Sequence, residues 1–237
     1  MLTWDGEPAP LVVDGKETFP NARCPDWPAA EFIVGNPPFI GAKYLRDRLG
    51  SGFVESLWNV HSHMNESADF VMYWWDRAAE LLTLKGSVLR RFGLVTTNSI
   101  TQIFQRRVIE RHLRAKKSVG LVMAIGDHPW TKATHDAAAV RIAMTVAQLN
   151  MQKGLLYEVV SESALETDAP IIELKSTEGV INSDLSIGMD VTKTTALKAN
   201  DGLCSPGVKL HGAGFMITPE QAEHLGLSKR PEFGELH

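Results

Sequence analysis

The chain has 237 residues, 44% hydrophobic and 22% charged, with two cysteines and a net charge of −4. These values exclude wholesale disorder, a collagen or coiled-coil fibre, a disulfide scaffold and a multi-cysteine zinc site. The acidic total conceals an asymmetry: residues 61–150 carry 12 Lys/Arg against 7 Asp/Glu, whereas residues 151–237 carry 7 against 13, so an anionic partner stays open for the middle of the chain.

Residues 1–30 are rich in proline (Pro8, Pro10, Pro20, Pro25, Pro28) and read as an irregular lead-in with one short strand at Leu11-Val12-Val13. Glu31-Phe32-Ile33-Val34, ended by Gly35, reads as a buried strand. Asn36-Pro37-Pro38-Phe39 follows at once, and two prolines force the chain out of the sheet. Gly50–His61 predicts a short helix, and Ser67 is the expected N-cap of a second one over Ala68–Leu84, with Phe70, Trp74, Ala78 and Leu81 as its apolar stripe. Trp74 and Trp75 read as core. Phe92–Asn98 predicts a second buried strand. Thr101–Ala115 predicts an amphipathic helix with Phe104, Val108 and Ile109 inward and Arg107, Arg111 and Arg114 outward. Val119–Ile125 and Ala137–Leu149 predict two more strands, and Leu155–Val160 an antiparallel edge strand. Thr167–Gly214 reads as β and loop, and Thr218-Pro219 opens a short helix.

Alternating strands and helices predict an α/β fold with a mostly parallel sheet. No apolar run is long enough to span a membrane and the N-terminus does not read as a signal peptide, so the expected compartment is the cytoplasm.

The segment that carries chemistry is Asn36-Pro37-Pro38-Phe39. In an open α/β sheet, ligands bind outside the carboxyl ends of the strands, where this rigid turn stands. Asn36 offers an amide oxygen, Pro37 a backbone carbonyl and Phe39 an aromatic face. Two acceptors can hold the two N–H bonds of an exocyclic amine while its ring stacks on the aromatic residue. Held so, the nitrogen lone pair turns toward an electrophile, and no separate base is needed before attack.

Asn36-Pro37-Pro38-Phe39 resembles the motif of amino-group methyltransferases that use S-adenosylmethionine, the adenine-N6 DNA methyltransferases and their relatives. Further segments resemble the MmeI-like group of restriction–modification enzymes. They are Pro25–Ala30, Gly93–Ile100, Asp127-His128-Pro129-Trp130, Asp136–Met144, Gly179-Val180-Ile181 with Leu185–Gly188, and Gly212-Ala213-Gly214-Phe215. The resemblance implies a partial Rossmann-like methyltransferase sheet with a β-rich C-terminal extension. It implies that Asn36 and the Pro37 carbonyl hold the target amine, with Pro38 completing the turn and Phe39 stacking on a flipped base. It places Asp127–Trp130 near the base pocket, with Trp130 beside it.

The sequence departs from the family where the family puts its glycine-rich cofactor loop, ahead of the Asn-Pro-Pro strand. The expectation is therefore an incomplete S-adenosylmethionine site and a fragment of little activity by itself. Residues 1–165 would be a partial catalytic domain, and residues 166–237 a linker and the start of a target-recognition domain. Double-stranded DNA is the expected partner, with Arg106, Arg107, Arg111, Arg114, Lys116 and Lys117 on its phosphates. His61-Ser62-His63 has the spacing of a metal pair but no evident third ligand, so no metal is expected. The alternatives are a protein-glutamine methyltransferase, a non-catalytic DNA-binding module, and methylation at cytosine N4.

Overall fold

The computed structural model describes residues 11–13, 16–130, 140–165, 167, 169–190, 194, 198, 218–224 and 226. Pro8, Pro10, Asp136–Ala139 and Gly212–Phe215, all used above, lie outside the described residues, as does Cys204, one of the two cysteines. Clustering of contacts divides the chain into a first compact unit, Met1–Lys193, and a second, Thr194–His237.

The first unit is built on a six-stranded mixed sheet in the order β3-β4-β6-β5-β7-β8. The strands are β3 (Phe32–Gly35), β4 (Arg91–Thr97), β5 (Val119–Pro129), β6 (Arg141–Leu149), β7 (Gly154–Ser163) and β8 (Ile171–Gly179). A separate hairpin, β1 (Leu11–Val13) with β2 (Lys16–Thr18), precedes them. β3 runs parallel to β4, and β7 parallel to β5. β6 is antiparallel to both its neighbours, β4 and β5. The carboxyl ends of β3, β4, β5 and β7 therefore share one end of the sheet, and β6 begins there.

The sheet carries two surprises for the sequence reading. β3 is not a buried strand: Phe32 is 54% and Val34 87% exposed. Among the described residues it is the outermost strand of the sheet, paired with β4. Leu155–Val160 is the reverse case. It is not an edge, because β8 pairs along its outer side from Gly154↔Gly179 to Ser163↔Ile171. The sheet thus continues past residue 165.

Helices α1 (Leu45–Leu49), α2 (Ser51–Val60), α3 (Val71–Thr83) and α4 (Ile103–Leu113) complete the unit. α3 is the centre of packing. Val71, Met72, Trp75, Ala78, Ala79 and Leu82 face the sheet and join Phe92, Leu94, Ala124 and Ala143. Phe70, Tyr73 and Trp74 face the other way, onto Leu45, Val54 and Leu57. A helix with apolar neighbours on two sides has a wide apolar surface, and the expected stripe residues Phe70, Trp74, Ala78 and Leu81 all pack within these two clusters. Trp75 is fully buried, meets Phe92 edge-on at 5.2 Å, and donates Nε1–H to Thr145 Oγ1 at 3.1 Å. The expected N-cap, Ser67, is not used: the helix starts at Val71 and Phe70 occupies the cap position with no side-chain hydrogen bond. Phe104 is 40% exposed rather than inward.

Asp76, in the middle of α3, is a fully buried carboxyl. Burial pushes its pKa up, but hydrogen bonds from His112 and His63 and the charge of Arg111 outweigh this and hold it at about 2. Trp58 faces the buried Tyr73 hydroxyl, yet neither Trp58 Nε1 nor Tyr73 Oη closes a well-formed hydrogen bond. Burial raises the Tyr73 pKa to about 12. Among the described residues no helix is long and apolar enough to cross a membrane.

In the second unit the described element is α5 (Pro219–His224). Its start forms a capping box: Gln221 N–H donates to Thr218 Oγ1 at 3.3 Å and Thr218 N–H to Gln221 Oε1 at 2.9 Å.

Candidate active site

Gly35 pairs with Leu94, and β4 runs on to Thr97. The chain leaves β3 at Asn36, so the Asn-Pro-Pro turn stands at the shared carboxyl end of the sheet, the place where α/β sheets bind ligands. Asn36 is exposed, Pro37 buried, Pro38 exposed and Phe39 half-buried. Phe39 packs its inner side against the main core, as Trp27 does. The Asn36 amide makes no hydrogen bond to any described residue, so its oxygen is available to a ligand. The two prolines remove backbone donors and fix the turn, leaving acceptors at this corner.

The turn is held from behind by the residues that open α3. Phe70 N–H donates to Ile40 O at 2.9 Å. Asp69 Oδ1 accepts from the Ala42 N–H at 3.1 Å, and Asp69 Oδ2 accepts from Ser99 Oγ at 2.8 Å. Ser99 Oγ in turn lies 2.5 Å from Thr97 Oγ1. One carboxylate therefore ties the exit of the Asn-Pro-Pro turn to the end of β4. Neither Asp69 nor the Asp69–Ser99 pairing was expected from the sequence. No motif spacing links residues 42, 69 and 99, and only the fold brings them together.

On the far side of the same end, Ile142 of β6 pairs with Thr97 of β4 and His128 of β5. Trp130 N–H donates to Val140 O at 2.9 Å, and the Trp130 side chain is 36% exposed. Asn98 Nδ2 donates to Asp127 Oδ1 at 3.3 Å, and Arg141 reaches both Asp127 and, at 2.7 Å, Glu162 Oε1. These two carboxylates push the Arg141 pKa up, and Arg141 holds Glu162 below the usual carboxylate range. A cleft of about 440 Å³ opens beside this group, lined among others by Asn98, Thr101, Asp127, Arg141 and Tyr157. The structure thus brings the Asn36 turn and the Asp127–Trp130 segment to one end of the sheet.

The basic run divides. Arg111 bonds Asp76 and lies 3.7 Å from Glu80 Oε1. Arg114 pairs with Glu110 at 2.5 Å, and Lys117 Nζ donates to Thr83 O at 2.5 Å. Arg106, Arg107 and Lys116 have no ion pair among the described residues, and Arg107 lies over the Phe104 ring at 5.9 Å. Because α4 runs back from the end of β4 to the start of β5, Arg106 and Arg107 stand toward the Asn36 end and Lys116 and Lys117 toward the opposite one.

The described residues hold no complete site for S-adenosylmethionine. Among them no strand passes into a helix through a glycine-rich turn, and the residues described ahead of β3 form a hairpin and extended chain. The set does not make a full cradle for the cofactor.

Comparison with known proteins places the chain. The family described as MmeI, DNA-methyltransferase domain, matches residues 9–158, more than half of the chain. The structure of the type IIL restriction–modification enzyme MmeI in complex with DNA is similar at 26% identity over 68% of this chain, with a TM-score of 0.51. The chain spans 20% of the length of that protein. A restriction-enzyme modification subunit from Vibrio vulnificus YJ016 is similar at 17% identity over 56% of this chain and 26% of its own, with a TM-score of 0.39. A comparison with curated proteins gives no match. The mixed sheet is accordingly a Rossmann-like methyltransferase sheet, and the chain belongs to the family of the MmeI DNA-methyltransferase domain.

Proposed function

We propose that this chain holds the amino group of a flipped adenine for methylation at N6, within a DNA methyltransferase that uses S-adenosylmethionine. The observation that carries the reading is the exposed, unpartnered Asn36 amide on a proline-fixed turn at the carboxyl end of the sheet. Asn36 Oδ1 and the Pro37 carbonyl accept the two amine N–H bonds. Phe39 offers its outer face to the base, and Trp130 bounds the pocket from the other side. S-adenosylmethionine, when bound, would supply the electrophilic methyl group, with its methyl–sulfur bond breaking and the neutral thioether as leaving group. The residues here orient the amine lone pair toward it and take up positive charge at the nitrogen as it develops. Loss of the amine proton to solvent completes the transfer.

Double-stranded DNA is the proposed partner, with Arg106 and Arg107 as the phosphate contacts, since neither is engaged in an ion pair among the described residues. The matched DNA-bound relative supports this choice over a protein substrate. We also propose residues 1–165 as the catalytic portion and residues 166–237 as the lead into target recognition. The test is transfer of tritium from labelled S-adenosylmethionine to duplex DNA, with a protein substrate in parallel, by the complete gene product. Label in adenine N6 is expected. Label in protein or at cytosine N4 overturns the assignment.

A further inference from the structure

A second cluster of reactive side chains gathers around α3 and uses none of the residues of the amine-binding turn. His61 and His63 follow the end of α2, Asp76 comes from the middle of α3, and Cys24 from the extended chain before β3. One ligand atom each from His61, His63 and Asp76 lies within 4.8 Å of the others. His63 Nε2 is 2.8 Å from Asp76 Oδ2, and Cys24 Sγ is 3.3 Å from His61 Nε2. Ligand atoms around a tetrahedral zinc, with bonds of about 2.0–2.3 Å, stand roughly 3.3–3.8 Å apart. The cluster brackets that spacing: the 2.8 Å pair has to open and the widest pair, within 4.8 Å, has to close by about 1 Å.

The second coordination feature is as informative as the first. Asp76 Oδ1 is occupied by His112 Nε2 at 2.7 Å and by Arg111, which leaves Oδ2 to His63. Ligating carboxylates are commonly held in this way from outside. Asp76 is fully buried and His61 is 8% exposed, while the His63 side chain is 35% exposed and opens the cluster to solvent. Two imidazoles, a thiol and a carboxylate form a donor set of the kind zinc takes.

We propose that Cys24, His61, His63 and Asp76 bind one zinc ion that fastens the segment ahead of β3 to α2 and α3. On binding, the Cys24 thiol gives its proton to solvent, and His63 gives up the Nε2 proton it shares with Asp76 and carries its one proton on Nδ1, so that Nε2 takes the metal. The thiolate and the carboxylate then balance the two charges of the ion, and Arg111 and His112 remain on Oδ1.

The experiment is titration of the full chain with zinc and, separately, with cobalt(II) as a spectroscopic probe. The expected result is one equivalent of zinc bound with micromolar or tighter affinity, weakened at least about tenfold in His63→Ala and in Cys24→Ser. Cobalt should give visible bands of tetrahedral intensity plus a near-ultraviolet thiolate charge-transfer band that disappears in Cys24→Ser. His224→Ala, on α5, should change nothing. Circular dichroism checks that each variant is folded, with His63→Gln and Cys24→Ala as substitutes. Absence of stoichiometric uptake, absence of the charge-transfer band, or equal affinity in the variants overturns the proposal and leaves a metal-free network around Asp76.

Discussion

Asp69 accepts the Ser99 hydroxyl proton at 2.8 Å while its other oxygen accepts the Ala42 N–H, so the exit of the Asn-Pro-Pro turn and the end of β4 share one carboxylate. Among the described residues β3 pairs with β4 alone, and the Phe70 N–H to Ile40 O bond joins this carboxylate in holding the turn from behind. Asp69→Ala is expected to leave the fold in place and loosen Asn36. Misplacement of a reacting group by about 1 Å costs on the order of 10²-fold in rate. The measurement is steady-state methyl transfer: kcat should fall by about that factor with the KM for DNA nearly unchanged. A normal kcat would show that the clamp does not position the turn.

Trp75 tests the packing of α3 on the sheet. It is fully buried against Phe92 and hydrogen-bonded to Thr145. Trp75→Ala should cost about 3–5 kcal/mol in denaturant unfolding, from lost transfer energy and the cavity left behind. Thr145→Val should cost about 1–3 kcal/mol, because it strands the indole N–H in the core.

The Asn36 turn was legible from residues alone, because a Pro-Pro pair after a short apolar run has few structural readings. Strand order was not legible. The periodicity of β6 cannot say that it inserts antiparallel between β4 and β5, and nothing in Leu155–Val160 announces that β8 pairs along its outer side. The run Phe32–Val34 looked buried because apolar content reports a strand and not which of its sides is covered. Asp76 shows the same gap in another form. His61-Ser62-His63 stood out, but Cys24, Asp76 and His112 reach it only through the fold.

Tyr73 gives a pH dependence. Its buried hydroxyl has its pKa raised to about 12, above the unfolded value of about 10. The neutral form is the one the fold favours, so this contribution is intact below about pH 10 and is lost as pH rises toward 12. Tyr73→Phe should remove that component of alkaline destabilisation in pH-dependent unfolding. An unchanged alkaline limb would contradict it.

The arginines of α4 should separate by role. Arg111 is bonded to buried Asp76, though its own side chain is 41% exposed. Solvent screening limits the loss in Arg111→Ala to about 1–2 kcal/mol of stability. Arg107→Ala should change stability by less than about 0.5 kcal/mol. It should instead weaken duplex binding and reduce the slope of log K against log salt by about 1. Salt-dependent DNA titrations of both variants check this, and a slope unaffected by Arg107→Ala would remove it from the interface.

The central claim is that Asn36 holds the amine that is methylated. Its direct measurement is the single-turnover rate of methyl transfer to duplex DNA by Asn36→Ala beside the unaltered protein, both in the complete gene product. Removal of one transition-state hydrogen-bond partner costs about 10²–10³-fold, so a loss of at least that size at N6 is predicted with DNA binding retained. A near-normal rate in Asn36→Ala would contradict the account.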